Sequence, residues 1–279
     1  MPDFLRDAQR ILRVEPREDD RRLESRSGAG VHPVTTAEGD AAYLKIMPGS
    51  LGATELRFYR EVAPGAPVRT PGLLGHLETD AGVALLLAAA GETREVTRWT
   101  PKMWASLGRD LAALHEMPGT WAGPDELTGP DHAAARAYWG PAFDDVLAGA
   151  DRLWDAMAAP APVFTHGDCH TENITHVGDS LFLCDWQNAG TGRASADLAL
   201  LSVRATPAGV TVPPALLDAY LAGRSGPATE LRRAIVAEEL AVLLFLWPRY
   251  AGYNTAEGNA RIRDRALRLA EAFNRPGGR

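Results

Sequence analysis

The chain has 279 residues, of which 46% are hydrophobic and 23% are charged. These ordinary globular values exclude a disordered chain and a coiled-coil rod, and the length allows one two-lobed domain or two small ones. The net charge of −7 argues against nucleic acid as the main partner, because binding to phosphate backbones needs a basic face.

The charged residues are unevenly distributed. Residues 91–222 carry 17 acidic and 8 basic side chains, an excess that would attract a cationic small molecule or metal ions. Solvated acids on helix surfaces would give the same count. Among the 29 basic residues only Lys45 and Lys102 are lysines. Codon bias explains why Lys is rare, and it leaves open what a lysine does where arginine would not serve.

Targeting and redox signals are few. The segment Met1–Arg13 is charged throughout, and no apolar run approaches the length of a membrane span. Cys169 and Cys184 are too few for a disulfide framework. These features predict a cytoplasmic protein that makes no use of a membrane.

The first 90 residues are predicted to form a small antiparallel sheet with one inserted helix. An amphipathic helix at Asp3–Arg13 opens the chain, and helical spacing returns at Leu51–Val62. Short turn sequences rich in Gly separate the strands, as in hairpins. The candidate strands are Arg21–Arg26, Val31–Thr36, Ala41–Met47 and two more within Gly75–Ala90.

After residue 90 the spacing is mainly helical, interrupted by a strand at Pro160–Thr165 and a hairpin of Ile174–His176 with Leu181–Cys184. The chain is therefore expected to be α+β with two lobes, residues 1–90 and 91–279, and ligands are expected near their junction. The candidate helices are Trp99–Met117, His132–Ala148, Asp151–Ala158, Ser195–Val203, Pro213–Leu221, Glu230–Trp247 and Ala256–Phe273.

The residues most suggestive of chemistry follow the predicted strands of the second half. Asp168 comes just after a strand, Asn173 follows five residues later, and the hairpin then leads to Asp185. Hard cations such as Mg²⁺ prefer oxygen ligands and bind a few carboxylates together with substrate phosphates. Phosphoryl transfer needs such metal ions and one carboxylate to orient the attacking hydroxyl.

This pattern resembles the aminoglycoside phosphotransferase and choline kinase family, which shares the protein-kinase fold. The motifs run in family order from about residue 20 to 200. They are Tyr43-Leu44-Lys45-Ile46, the helix Glu55–Tyr59, Leu111–His115, His166-Gly167-Asp168 with Asn173, Asp185-Trp186, and Asp197-Leu198-Ala199.

The resemblance implies a small antiparallel β-sheet lobe with one helix, a mainly helical lobe, and specific roles. Asp168 would orient or deprotonate the acceptor hydroxyl, and Asn173 and Asp185 would hold Mg²⁺ on the nucleotide phosphates. Lys45 would contact the α- and β-phosphates and would be held by Glu55.

Two further assignments leave alternatives open. Asp197 would brace the catalytic loop by hydrogen bonds, or would cap the helix that follows it. The segment containing Ser27, Gly28 and Gly30 stands where the phosphate-covering loop belongs, but it lacks the three-glycine pattern of protein kinases. It could cradle phosphate through backbone N–H groups or be an ordinary hairpin turn. The apolar stretch Leu85–Ala90, at the expected hinge, leaves both ATP and GTP as nucleotides.

Two other kinds of site are disfavoured. Cys169 and His170 could form a nucleophile and base, but neighbouring residues on a turn point apart and no orienting partner is evident. The same residues with His176 and Cys184 could bind zinc, but no ligand pair has zinc-site spacing.

The acceptor is expected between the catalytic loop and the C-terminal helices. Glu238 and Glu239 could pair with an amino group there, while Trp247, Tyr250 and Tyr253 could cover a ring or a cation. Because neighbours on a helix point about 100° apart, at least one of the two acids could equally be a solvated surface position.

The leading hypothesis is a kinase that uses ATP or GTP with Mg²⁺ to phosphorylate a hydroxyl of a small cationic molecule. An aminoglycoside or another antibiotic is the first candidate acceptor, and a choline-like, sugar or amino-alcohol metabolite is the second. A nucleotide-binding regulator and a metal-dependent hydrolase are the alternatives from other classes. The sequence makes no prediction about oligomeric state.

Overall fold

The computed structural model describes residues 2–17, 23–24, 30–125, 127 and 130–274. Within these ranges no helix is both long and apolar enough to cross a bilayer. By their contacts the residues form two compact units. The first comprises 1–92 together with 175–189, and the second comprises 93–174 and 190–279.

Eleven strands are present in the described residues, several of them only two or three residues long. They are β1 (Glu15–Pro16), β2 (Leu23–Glu24), β3 (Gly30–Thr35), β4 (Ala41–Pro48), β5 (Leu73–Thr79), β6 (Gly82–Ala88), β7 (Glu92–Thr93), β8 (Val163–Thr165), β9 (Ile174–Val177), β10 (Ser180–Leu183) and β11 (Gly190–Gly192).

The α-helices of the described residues follow the predicted order. They are α1 (Pro2–Ile11), α2 (Ala53–Arg57), α3 (Pro101–His115), α4 (His132–Trp139), α5 (Asp144–Ala148), α6 (Asp151–Ala158), α7 (Ala194–Ala205), α8 (Pro214–Ala222), α9 (Ala228–Ala241), α10 (Trp247–Tyr250) and α11 (Ala256–Asn274).

The first unit is built on an antiparallel sheet with the order β1-β3-β4-β6-β5, and β2 also pairs with β3. Strand β4 is central, and its side chains alternate between the two faces. Ala42, Leu44 and Ile46 join an apolar cluster with Ala8 of α1. Lys45, paired in register with Leu85 of β6, therefore projects from the opposite face.

The second unit is mainly helical. One apolar cluster of this unit draws residues from α4, α5, α6, α9 and α11. Helices α3 and α8 also pack closely, because a side chain at Gly108 would lie 2.2 Å from the carbonyl oxygen of Leu216. The antiparallel sheet of the first unit and this helical unit confirm the predicted α+β class.

Three predicted helices are interrupted, the first of them Leu51–Val62, whose α-helix ends at Arg57 and continues as a wider turn over Phe58–Val62. His132–Ala148 breaks at Gly140, whose φ of 70° is unfavourable for other residues, and Pro141 follows. Glu230–Trp247 ends as an α-helix at Ala241 and continues as a wider turn, Val242–Leu246. Pro248 has no N–H to give to the carbonyl of Leu244, and the indole N–H of Trp139 donates to that oxygen instead at 3.1 Å.

Candidate functional site

The first unit holds a buried cluster of one lysine and two carboxylates. Lys45, on β4, donates to Oε2 of Glu55 at 2.6 Å and to Oδ1 of Asp185 at 2.8 Å. The Glu55 side chain is fully buried on α2, and that of Lys45 is 6% exposed. The Lys–Glu pair expected from the motif order is therefore formed, and Asp185 joins it.

The charges of this cluster are unequal, with one cation facing two carboxylates. Burial opposes the charged form of Lys45, but Glu55 and Asp185 outweigh it and raise the pKa of the ammonium. Lys45 is thus positively charged at neutral pH, whereas burial outweighs the attraction of Lys45 and raises the pKa of Glu55. With one ammonium shared between two carboxyl groups, the cluster can still attract a further cation.

Asp185 has an unusual backbone conformation, with a φ of 65°. Side chains other than Gly seldom adopt this conformation, and Asp tolerates it better than most. The strained corner is held from both sides. The backbone N–H of Trp186 donates to Oε1 of Glu55 at 3.2 Å, and the indole ring stacks on Phe58 with centroids 3.8 Å apart. The fold thus stabilises a backbone conformation of the kind that clusters at functional sites.

The catalytic-loop motif lies in the second unit, after β8. Gly167 has a φ of 80°, which lets the chain turn sharply between His166 and Asp168. The amide of Asn173 donates to the backbone oxygen of Asp168 at 3.0 Å and to its Oδ2 at 3.1 Å. Asp168 and Asn173 are therefore in direct contact, with the Asp168 side chain 37% exposed.

Asp197, on α7, fixes this loop. Its two carboxylate oxygens accept hydrogen bonds from the backbone N–H groups of His166 and Gly167, at 2.8 and 2.9 Å. Nε2 of His115 lies 3.1 Å from Oδ2 of the same carboxylate. The side chain of Asp197 makes no hydrogen bond that caps its own helix. These bonds correspond to the bracing role and not to the capping alternative.

The pKa values of the loop side chains favour Asp168, rather than Cys169, as the reactive group. Burial acts to raise the pKa of Asp168, but His170, His166 and Arg204 lower it further than burial raises it. The carboxylate is therefore ionised at neutral pH and can accept a proton. Burial raises the pKa of the Cys169 thiol well above its usual range, so this side chain is a poor nucleophile.

Glu238 and Glu239 were expected to bind a cationic acceptor, but both are buried and each is already bound by an arginine. Both are buried, at 1% and 2% exposure. Arg193 holds Glu238 through two hydrogen bonds, at 2.8 and 2.9 Å. Arg265 holds Glu239 in the same bidentate way, at 2.7 and 2.8 Å. Each carboxylate is already neutralised inside the helical unit.

The aromatic candidates differ from one another. Trp247 is 5% exposed, and its indole N–H donates to Oδ1 of Asn259 at 3.1 Å, which is typical of a packed core residue. Tyr250 and Tyr253 are exposed. Of the predicted acceptor residues, only these two tyrosines present a large surface to solvent.

The predicted phosphate loop is only partly described. Ser27 and Gly28 lie outside the described residues. Gly30 is the first residue of β3, where it pairs with Ile46 of β4. Its role in nucleotide binding stays a prediction.

The motif comparison alone left several contacting residues without a role. His115 bonds Asp197 through one ring nitrogen and lies 2.8 Å from the hydroxyl of Tyr220 through the other. Gln187 donates to Oδ1 of Asp185 at 2.6 Å. His115 lies on the apolar face of α3, and a polar residue on such a face is the one available sequence signal. Nothing in the sequence identifies Tyr220, which lies 105 residues away from His115.

The expected Mg²⁺ needs side-chain oxygens that are not already used by other residues. Among the described residues no group of three or more His, Cys, Asp or Glu side chains could hold a metal ion. Asp185 and Asn173 nevertheless offer oxygens to which no described residue donates, Oδ2 and Oδ1 respectively. Each of these is a hard oxygen donor of the kind that Mg²⁺ accepts together with substrate phosphates and water.

Solved structures with similar folds include several phosphotransferases. A macrolide 2′-phosphotransferase, MphH from Brachybacterium faecium, is 21% identical, with 99% of this chain and 100% of that chain covered and a TM-score of 0.60. A choline/ethanolamine kinase family protein from Mesorhizobium loti is 21% identical over 99% and 96%, with a TM-score of 0.64.

A third solved structure is the amicoumacin kinase hAmiN in complex with AMP-PNP, Ca²⁺ and Ami. It is 12% identical over 97% of this chain and 93% of that chain, with a TM-score of 0.63. At these identities the similarities show the fold alone, and they confirm the predicted protein-kinase-like architecture. Among curated protein sequences, none matches this chain.

The sequence profile of the phosphotransferase enzyme family matches residues 28–253, a span that contains Lys45, Glu55, Asp168, Asn173, Asp185 and Asp197. This match covers well over half of the chain and confirms the resemblance found in its motifs. The protein therefore belongs to the phosphotransferase enzyme family.

Proposed function

We propose that the protein is a small-molecule kinase that transfers the γ-phosphoryl group of ATP or GTP to a hydroxyl group. The observation that carries the proposal is the pair of preassembled clusters, Lys45–Glu55–Asp185 in one unit and Asp168–Asn173 in the other. A decayed relative that only binds nucleotide would be expected to lose one of these residues.

The roles follow from the chemistry of each group. Lys45, charged and fixed by Glu55, would neutralise the α- and β-phosphates. Asp168, ionised and oriented by the Asn173 amide, would accept the proton of the acceptor hydroxyl as its oxygen attacks the γ-phosphorus. The bond from that phosphorus to the β-phosphate oxygen breaks, and ADP or GDP leaves.

Mg²⁺ is the proposed metal, held by Asp185 and Asn173 through oxygens to which no described residue donates. When bound, the cation would neutralise charge on the phosphates. Asn173 precedes the first strand of the β9–β10 hairpin and Asp185 follows the second, so a single short segment supplies both donors.

The acceptor class is argued from chemistry and from similar folds. Solved neighbours include an antibiotic kinase and a choline/ethanolamine kinase family protein, so an antibiotic and an amino alcohol are both candidates. We propose a small cationic acceptor, first an aminoglycoside or other antibiotic and second a choline-like metabolite. The protein would act as a soluble cytoplasmic enzyme.

Mass spectrometry of an acceptor panel tests the proposal. Aminoglycosides, macrolides, peptide antibiotics, choline and amino alcohols are incubated with the protein and MgATP or MgGTP. A gain of one phosphoryl group on an acceptor is expected. In Asp168→Asn, kcat should fall by about 10²- to 10⁴-fold, the usual contribution of a positioned base, with nucleotide affinity unchanged.

Three other outcomes would each contradict a different part of the proposal. Hydrolysis of the nucleotide at full rate without any acceptor would favour the hydrolase alternative. Nucleotide binding with no modified acceptor would favour a regulator. Full turnover by Asp168→Asn would remove Asp168 from the mechanism.

A further inference from the structure

A second carboxylate stands close to Asp168 in the catalytic loop. Glu172 lies on the short helical turn Thr171–Asn173, directly before the residue whose amide holds Asp168. Its side chain is 71% exposed, in contrast to the buried Glu238 and Glu239. Arg204 of α7 contacts one of its oxygens, Oε2.

One imidazole ring lies between the two carboxylates. Nε2 of His170 is 3.6 Å from Oδ1 of Asp168, and Nδ1 is 3.9 Å from Oε2 of Glu172. His170 is only 7% exposed, and no described residue forms a hydrogen bond with its Nδ1. A buried polar atom left in this state costs free energy unless something else completes its surroundings. The atom faces Glu172, which marks that side of the loop as a place for a ligand.

The charges around this point favour a cation. Asp168 and Glu172 contribute two carboxylates, and Arg204 contributes one guanidinium, 26% exposed. Apart from the imidazoles of His166 and His170, the formal balance of these three groups is negative on an exposed surface beside the reacting group. At Glu238 and Glu239, by contrast, arginines bind both oxygens of each carboxylate.

We propose that Glu172 determines acceptor specificity by binding a protonated amine of the acceptor while a hydroxyl of the same molecule lies at Asp168. This rests on the proposed kinase function. The two measured separations and the width of the imidazole ring limit the gap between the carboxylates to roughly 10 Å. The acceptor is thus an amino-substituted alcohol or sugar whose ammonium lies within that distance of the reacting hydroxyl.

The contact between Arg204 and Glu172 allows an amine-binding role of Glu172 to be distinguished from a purely structural one. If Glu172 binds the amine, Arg204 competes with the acceptor for the same carboxylate. Removing Glu172 should then weaken acceptor binding, and removing Arg204 should strengthen it. If the pair only fastens the turn to α7, both removals should act in the same direction.

Steady-state kinetics on two matched acceptor pairs provides the test. Ethanolamine is compared with its uncharged N-acetyl derivative, and kanamycin with its fully N-acetylated form. For the cationic acceptor that the wild type phosphorylates, Glu172→Gln should raise KM at least about tenfold with kcat within about threefold, because a charged hydrogen bond is lost. Arg204→Gln should lower that KM, and the KM of the uncharged partner should not respond to Glu172→Gln.

Asp218→Asn is the matched control. This exposed carboxylate lies 3.7 Å from an arginine, Arg232, on other helices of the same unit, and its removal changes the net charge equally. It should leave both constants unchanged. A KM unaffected by Glu172→Gln, or equal increases in both Glu172→Gln and Arg204→Gln, would overturn the proposal.

The two proposals fail in different ways. A wild-type enzyme that phosphorylates only the uncharged acceptors would overturn the role of Glu172 and leave the kinase function standing. A wild-type enzyme that phosphorylates no acceptor of the panel would count against the kinase function and, with it, against the role of Glu172.

Discussion

Lys45 occupies a position in which the shape of the cation matters as much as its charge. Its compact ammonium lies between Glu55 and Asp185, at 2.6 and 2.8 Å, on a side chain that is only 6% exposed. A guanidinium is wider, planar and directed along fixed axes, so it cannot meet both oxygens from the same stem. In a chain that uses arginine almost everywhere, this geometry accounts for the retained lysine.

Lys45→Arg should therefore reduce kcat/KM by at least about 100-fold, because misplacement of a positioning group by an ångström has an effect of that size. The protein should remain folded, with an unchanged far-ultraviolet circular dichroism spectrum. Lys102→Arg, an exposed substitution in the first turn of α3, is the control and should be neutral. Wild-type activity in Lys45→Arg would show that the site accepts either cation and that codon bias alone explains the composition.

At the scale of elements, the buried carboxylates of α9 connect helices that are distant in sequence. Glu239 accepts from Arg265 of α11 through both oxygens and from Ser202 of α7 at 2.8 Å. Breaking a buried ion pair leaves an uncompensated charge, which is far more costly than losing a surface pair. Glu239 therefore links three helices of the second unit, α7, α9 and α11.

Glu239→Ala should lower the free energy of unfolding by about 3–5 kcal/mol, measured by urea denaturation. Glu257→Ala is its counterpart on the surface, where the carboxylate is 75% exposed and bonds Arg261 one turn away. That variant should lose less than about 1 kcal/mol. If Glu239→Ala instead kept its stability and lost acceptor affinity, the carboxylate would be a binding residue after all.

Some of these contacts could be predicted from the sequence and others could not. The strand that carries Lys45 was predicted as Ala41–Met47 and is found at Ala41–Pro48, because the apolar pattern of a strand is a local property of the sequence. Glu55 and Asp185 were found because motif order fixes their place in a known fold. The partners of Glu238 and Glu239 were not found, since Arg193 and Arg265 lie 45 and 26 residues away and no periodicity links them.

At the scale of the whole molecule, each candidate cluster already has internal partners that hold its side chains in place. Lys45 is held by two carboxylates, and Asp168 by Asn173 and, through the loop backbone, by Asp197. Ligand binding therefore requires little reordering of these side chains, and the entropy lost on binding is correspondingly small. A ligand that binds only the folded chain must then increase its stability.

MgATP should accordingly raise the thermal unfolding midpoint. A nucleotide at about 100 times its Kd adds roughly 2.7 kcal/mol, which corresponds to several degrees for a chain of this size. Because Asp185 keeps one carboxylate oxygen to which no described residue donates, much of this shift should depend on the metal. EDTA should reduce the shift, and Asp185→Asn should show the small EDTA-like shift even with Mg²⁺ present. Asp218→Asn should behave as wild type. An equal shift with and without Mg²⁺, or a full Mg²⁺-dependent shift in Asp185→Asn, would place the metal elsewhere.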